Sequence, residues 1–335
     1  MRVFVAGATG VLGRRLVSQF ADRGHEVVGL TRDAEGDDLV ADRGGEPYRG
    51  DLFDADSLAL AAEGADVVVH AATSIPTDPL AAENEWERND RVRREGARAL
   101  TTAAASVGAT QYLQQSVVWV AANSRGDFFD ESSPPQPTRL TQSAVDAEQI
   151  AMAASETAPF SASILRCGVF YAPDAVHTRQ YAERLLRRRL PAISRGPLGR
   201  DEVVIAPLHA DDAASAFVAA AESEATGRWH VVDDEPVSTR EFLETFAALL
   251  DAPRPIPLPA WVVRMTVGSA AVSQFTTSMP TTNDRFREST GWDPTYPTYR
   301  EGLRQVVDRW QGDGTLDALR AGSVDGSTNG VLERR

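Results

Sequence analysis
The chain has 335 residues, 42% of them hydrophobic, and a formal net charge of -14 at pH 7. That length and apolar content suffice for one large α/β domain, or a domain carrying a smaller lobe, and exclude disorder as the general state of the chain. The negative charge excludes broad attraction to nucleic acid or anionic lipid, because both need clustered cations on the protein.

The opening MRVFVAGATG lacks the basic stretch and apolar run of a secretory signal, so a cytoplasmic protein is expected. Val3 to Ala6 reads as a short strand running into a glycine-rich turn, and Gly13 to Gly24 then places Leu16, Val17 and Phe20 at helical spacing. Further strands are expected at Glu26 to Leu30, Asp66 to His70, Gln111 to Ser116 and Ser163 to Cys167, with alanine-rich helices at Asp56 to Glu63 and Gly96 to Ser106. Strands alternating with helices imply parallel pairing through right-handed crossovers, hence an α/β fold with a doubly wound parallel sheet of the Rossmann type.

Residues 1–170 are assigned to that domain, with later strands contributed from 200–235, Arg228 to Val232 among them. Residues 171–310 read mainly as a small C-terminal substrate lobe, with helices at Tyr181 to Arg189, Ala210 to Glu222 and Thr239 to Leu250. The apolar run Leu258 to Phe275 contains Arg264 and reads as a core or lid helix, so no membrane span is expected. Residues 311–335 show helical promise only at Leu316 to Leu319 before dissolving into Gly, Ser, Asp and Asn, and a disordered tail is expected there. Cys167 is the only cysteine, which precludes an internal disulfide, and the five scattered histidines offer no metal-ligand spacing.

The string Gly7-Ala8-Thr9-Gly10-Val11-Leu12-Gly13 lies between the first strand and the first helix. In that context glycines permit the tight turn, the approach of backbone N–H groups to a diphosphate, and close packing of helix on sheet, which points to a nicotinamide dinucleotide. Thr31-Arg32 ends the second strand, and a guanidinium there pairs with a 2′-phosphate, favouring NADP(H). Asp33, if rotated inward, would instead serve NAD(H), so that coenzyme stays open. Asp51, beside Leu52, stands where a carboxylate reaches the adenine amino group, and Ala71, Ala72 and Thr73 are small enough to let a cofactor lie against backbone. His70 reads as a residue packed at the strand end.

These segments resemble the extended short-chain dehydrogenase/reductases, the NAD-dependent epimerase/dehydratase family, to about residue 310. Besides GATGVLG, GDL and HAAT, the resemblance is carried by Tyr112 to Ser116, by the acidic-proline loop Asp130 to Pro137, and by Ile164 to Pro173, which is similar to the family's Arg-x-x-x-x-Tyr-Gly-Pro turn. Pro207 to Phe217 and Gly291 to Leu303 complete it. The resemblance implies a small-molecule substrate, a nucleotide sugar or another carbonyl or hydroxyl compound, and a homodimer paired through helices flanking the sheet. It also implies a catalytic Ser at Ser116, which would border the cofactor as well, and a role for Tyr171 beneath the nicotinamide.

The family's Tyr-x-x-x-Lys pair is not encoded. The Tyr position falls on Leu140 and the Lys position on Ala144, and the chain contains no lysine anywhere, all 34 of its basic residues being arginine. A free phenol titrates near 10 and becomes a useful acid only beside a cation, so the usual proton relay is missing. The family's helical asparagine slot falls on Arg93, with Asn89 one turn away. Two readings stay open: an oxidoreductase or epimerase-like enzyme using Ser116, Tyr171, Asp146 or His209, or a non-catalytic NADP(H)-binding regulator or accessory subunit.

Overall fold
The first strand, β1 (Arg2–Ala6), is almost entirely buried, the state of a strand covered on both faces of a parallel sheet. The computed structural model describes residues 1–76, 83–123, 125–195, 202–265 and 276–322. From β1 the chain alternates as expected: α1 (Gly13–Asp22), β2 (Glu26–Thr31), α2 (Ala34–Ala41), β3 (Glu46–Arg49), α3 (Ala55–Ala61), β4 (Val67–His70), α4 (Glu83–Val107), β5 (Gln111–Val117), α5 (Gln142–Ser155) and β6 (Ser161–Cys167). Then follow β7 (Val169–Tyr171), α6 (Val176–Leu186), β8 (Ala192–Ser194), β9 (Val204–Ile205), β10 (Pro207–His209), α7 (Ala210–Glu222), β11 (Gly227–Val231), β12 (Val237–Ser238), α8 (Thr239–Leu249) and β13 (Pro257–Pro259).

Seven strands form one sheet in the order β11-β6-β5-β4-β1-β2-β3, with every pairing parallel. Alternate side chains feed the two faces. Val3, Val5, Val67 and Leu113 join Leu16, Phe20 and Phe217 of α1 and α7 on one side, while Phe4, Val68 and Tyr112 join Leu58, Leu100 and Ala151 of α3, α4 and α5 on the other. Burying each such side chain is worth roughly 1.5–3 kcal/mol, so the period-two pattern fixes both register and face. Strand order reverses at β1 and β4, and the crevice beyond their carboxyl ends is where α/β sheets of this kind hold ligands.

The C-terminal lobe packs over that edge on its own core, in which Phe242, Phe246, Tyr299, Leu303 and Trp310 meet. Short pairs β10-β7, β12-β9 and β13-β8 form separate two-stranded sheets beside the main one. The expected disordered tail is corrected in part. A helix runs over Tyr299–Asp313 and another over Thr315–Ala321, whose Leu316 and Leu319 are buried in the lobe core. Residues 323–335 lie outside the described residues, as do residues 266–275 of the run Leu258 to Phe275, whose described part begins in the strand Pro257–Pro259 and is helical over 260–265. No helix among the described residues is long and apolar enough to cross a membrane.

Candidate functional site
At the exit of β1 the backbone turns sharply: Gly7 has φ +90°, and the Gly10 N–H donates to the Gly7 carbonyl at 3.0 Å. A Cβ on Gly7 would stand 2.6 Å from the Ala72 nitrogen, so the ends of β1 and β4 touch through backbone alone. Gly13 opens α1, where a Cβ would collide with the Gly7 carbonyl oxygen. No side chain caps α1, and its first turn carries no acidic residue. This cradle offers free N–H groups and the positive end of a helix, which fits the diphosphate of a dinucleotide. Gly13→Ala is expected to cost about 3 kcal/mol or more, because backbone cannot yield as a side-chain tip does, with loss of coenzyme binding. A denaturation midpoint within error of wild type would contradict that packing.

The turn opens on a cavity of about 1940 Å³ between the sheet edge and the lobe. Sites for single small ligands run to about 300–1,000 Å³, so there is room for a dinucleotide and a second molecule. Gly7, Thr9, Gly10, Val11, Leu12, Thr31, Arg32, Asp51, Leu52, Ala71, Ala72 and Thr73 all line it. Gly13 stands behind them as packing.

At the end of β2, Asp33 is the N-cap of α2, its Oδ1 accepting the Gly36 N–H at 2.8 Å, while Thr31 Oγ1 donates to Asp37 at 2.5 Å. Arg32 is exposed at the rim of the cavity, with no side-chain partner among the described residues. Asp33 therefore has a structural task, and Arg32 is free to meet a ligand. Asp51 Oδ1 accepts the Phe53 N–H at 3.0 Å, and the Arg91 guanidinium lies 4.0 Å over the Phe53 ring, forming the wall beside Leu52.

The expected catalytic residues are placed differently. Even-numbered residues of β5 face α4 and α5, so Ser116 turns away from the cavity: it is 2% exposed and its Oγ donates to Glu148 Oε1 at 2.6 Å. Glu148 is held in turn by Arg166, Nε to Oε1 at 2.9 Å and Nη2 to Oε2 at 2.7 Å, both side chains 1% exposed. Ser116 thus belongs to a buried ion-pair network. The β5 side chains that line the cavity are Gln115 and Val117, followed by Trp119. Tyr171 borders the cavity, but its phenol is buried, donates to Asp233 Oδ2 at 3.1 Å and packs edge-on to His209 and Phe242. Burial and the neighbouring Asp233 push that phenol well above its usual range.

None of the other candidates supplies an acid there. His209 caps α7 itself, its Nδ1 accepting the Asp211 N–H, and burial pulls it down to about 4. Asp146 pairs with Arg94 at 2.6 Å on the outer side of α5. His70 is fully buried, which pulls it down to about 4 and keeps it neutral. Leu140, where the tyrosine was expected from the resemblance, lines the cavity, and Ala144 is buried against Val117 and Val145. On the lobe wall, burial pushes the Tyr181 phenol up and pulls His177 down, with His177 Nε2 at 2.6 Å from the Phe170 carbonyl. No cluster of metal-ligating side chains occurs among the described residues.

A family model described as NAD dependent epimerase/dehydratase family matches residues 3–232. The chain is 38% identical over 320 residues to a 3-diazoavenalumate denitrifying reductase of a Streptomyces species, covering 90% of this chain and 99% of that one. Among solved structures it is similar to the human epimerase family protein SDR39U1 (isoform 2) with NADPH, with TM-score 0.76 and 21% identity, covering 92% of this chain and 99% of that one. A short-chain dehydrogenase/reductase superfamily protein from Agrobacterium tumefaciens with bound NAD superposes with TM-score 0.74 at 20% identity, covering 95% and 99% of the two chains.

Proposed function
Since the chain belongs to the NAD-dependent epimerase/dehydratase family, we propose that it is an NADP(H)-dependent reductase serving an aryl substrate that needs no enzyme-bound acid. Its NAD(P)-binding, oxidoreductase-like character goes with the family. The observation that carries the finer reading is the wall beyond β5: Val117, Trp119 and Leu140, none of them able to donate a proton to a substrate at neutral pH, line the cavity there, in a chain with no lysine.

An electrophile that accepts hydride and then sheds a neutral leaving group fits such a wall, and a diazo group, which the name of the 38% identical reductase contains, makes an aryl carbon one. The coenzyme supplies a hydride, which completes the balance for an arenediazonium: the incoming electron pair makes the C–H bond, the C–N pair departs with N2, and no proton is consumed. The chain's own part is then to orient the ring and keep water out. Phe170, Trp119 and Trp86 supply aromatic surface for that, and Phe242, Leu243 and Val262 close the lobe side. These aromatic and aliphatic side chains favour an aryl ring against that wall.

The free guanidinium of Arg32, with Asp33 engaged as a cap, supports NADP(H) over NAD(H). Arg32→Ala is expected to weaken NADPH binding by about 10–100-fold, the worth of a charge-assisted contact, and to leave NADH nearly unaffected. Titration by nicotinamide fluorescence checks this; equal losses for both coenzymes would remove the basis for the preference.

A further inference from the structure
Among the described residues that line the cavity of this acidic protein, seven are arginines and one, Asp51, is a carboxylate. One of these arginines has no counterpart in the coenzyme-binding arrangement described above. Arg93, on the inward face of α4, is 6% exposed, lines the cavity, and makes no side-chain hydrogen bond or ion pair among the described residues. The acids whose charge acts on it are Asp90 and Glu148, and both are engaged by other groups, Asp90 by Arg94 at 3.6 Å and Glu148 by Arg166 and Ser116. The contrast with Arg166, buried as deeply but held by two bonds to Glu148, shows what the fold does with a guanidinium whose task is structural.

Burying an unpaired charge costs several kcal/mol unless a partner arrives, so an arginine kept in this state is an anion receptor awaiting its anion. Burial draws Arg93 down to about 10, which still leaves it charged at neutral pH. We propose that Arg93 binds an oxyanion of the substrate, a carboxylate gripped by the guanidinium fork, and so places the aryl group against Trp119 and Val117. This rests on the reading of the cavity as a reductase site for an aryl compound. A planar carboxylate suits the fork, which presents two parallel N–H donors. Its attraction to the arginines also offsets repulsion from the net charge of -14.

The other source of such an oxyanion is a phosphate of the coenzyme, and the experiment separates the two. Wild type, Arg93→Met and Arg93→Lys are each titrated with NADPH, then, as NADP⁺ complexes, with trans-cinnamate and with cinnamamide, its neutral isostere, following tryptophan fluorescence. Wild type is expected to prefer cinnamate by at least about tenfold, Arg93→Met to lose that preference while holding cinnamamide and NADPH within about twofold, and Arg93→Lys to restore part of it. Because the readout is a ratio between two ligands on one protein, a general loss of folding does not mimic it. The proposal is overturned if wild type shows no preference for the acid, if Arg93→Met keeps the preference, or if Arg93→Met weakens NADPH as much as cinnamate. Wild type failing to bind NADPH at all would instead sink the reductase reading on which this proposal stands.

Discussion

Nitrogen release from an arenediazonium carboxylate, followed with NADPH oxidation, is expected to vary by less than about threefold between roughly pH 6 and 8, while simple aryl ketones turn over at least about a hundredfold more slowly. The figure follows from what is missing. A positioned general acid contributes about 10²–10⁴-fold to reactions that need a proton in the transition state, and ketone reduction is one of them. The cavity offers Val117 and Leu140 at the end of β5 and before α5, and the half-buried Tyr181 phenol, pushed up from its usual range, is a poor proton donor at neutral pH. A diazonium carbon takes hydride and loses N2 without a proton, so it feels none of this deficit. Efficient ketone reduction with a bell-shaped pH profile, abolished by Tyr181→Phe, would show that a relay exists on the lobe wall and would overturn the proposed chemistry.

Arg166→Leu is expected to destabilise the protein by about 3–5 kcal/mol, read as a large fall in the urea midpoint. The substitution leaves Glu148 buried with one hydroxyl donor, Ser116, and the half-exposed Arg228 at 3.4 Å as its remaining company. Adding Glu148→Leu is expected to recover most of the loss, because a buried pair replaced on both sides by apolar groups is close to neutral. Ser116→Ala, by the same logic, costs only about 1–2 kcal/mol, since the carboxylate keeps its arginine. A double variant less stable than Arg166→Leu alone would mean that the network holds β5, β6 and α5 together by more than its own charges.

These two experiments also mark how far the sequence was readable. The alternation of strands and helices was legible because strands covered on both faces, such as Val3 to Ala6, become unbroken apolar runs. The nucleotide cradle was legible because the ends of β1 and β4 approach too closely for any side chain at Gly7. Ser116 shows where such reading stops. Strand side chains alternate, so an alignment off by one residue exchanges the cavity face for the helix face, and motif similarity alone does not fix the parity. Tyr171 meets Asp233 across 62 positions, a pairing no local pattern encodes. Leu316 and Leu319 made a weak helical signal because the surface they bury belongs to distant parts of the lobe. Arg93 is an odd residue in a familiar slot, but its solitude is a fact about space, visible only once Asp90 and Glu148 are seen to be engaged.

The outermost strand of the sheet, β11, is delivered only after the whole of α6 and α7 has been made, yet it pairs along its full length with β6. During synthesis β6 therefore leaves the ribosome with one side of its backbone unpaired, and it stays so until some sixty further residues have followed. A nascent chain in that interval carries a raw sheet border, open to a neighbouring chain on the same message or to a chaperone. The last third of the protein is thus as much a seal for the nucleotide half as a container for its substrate.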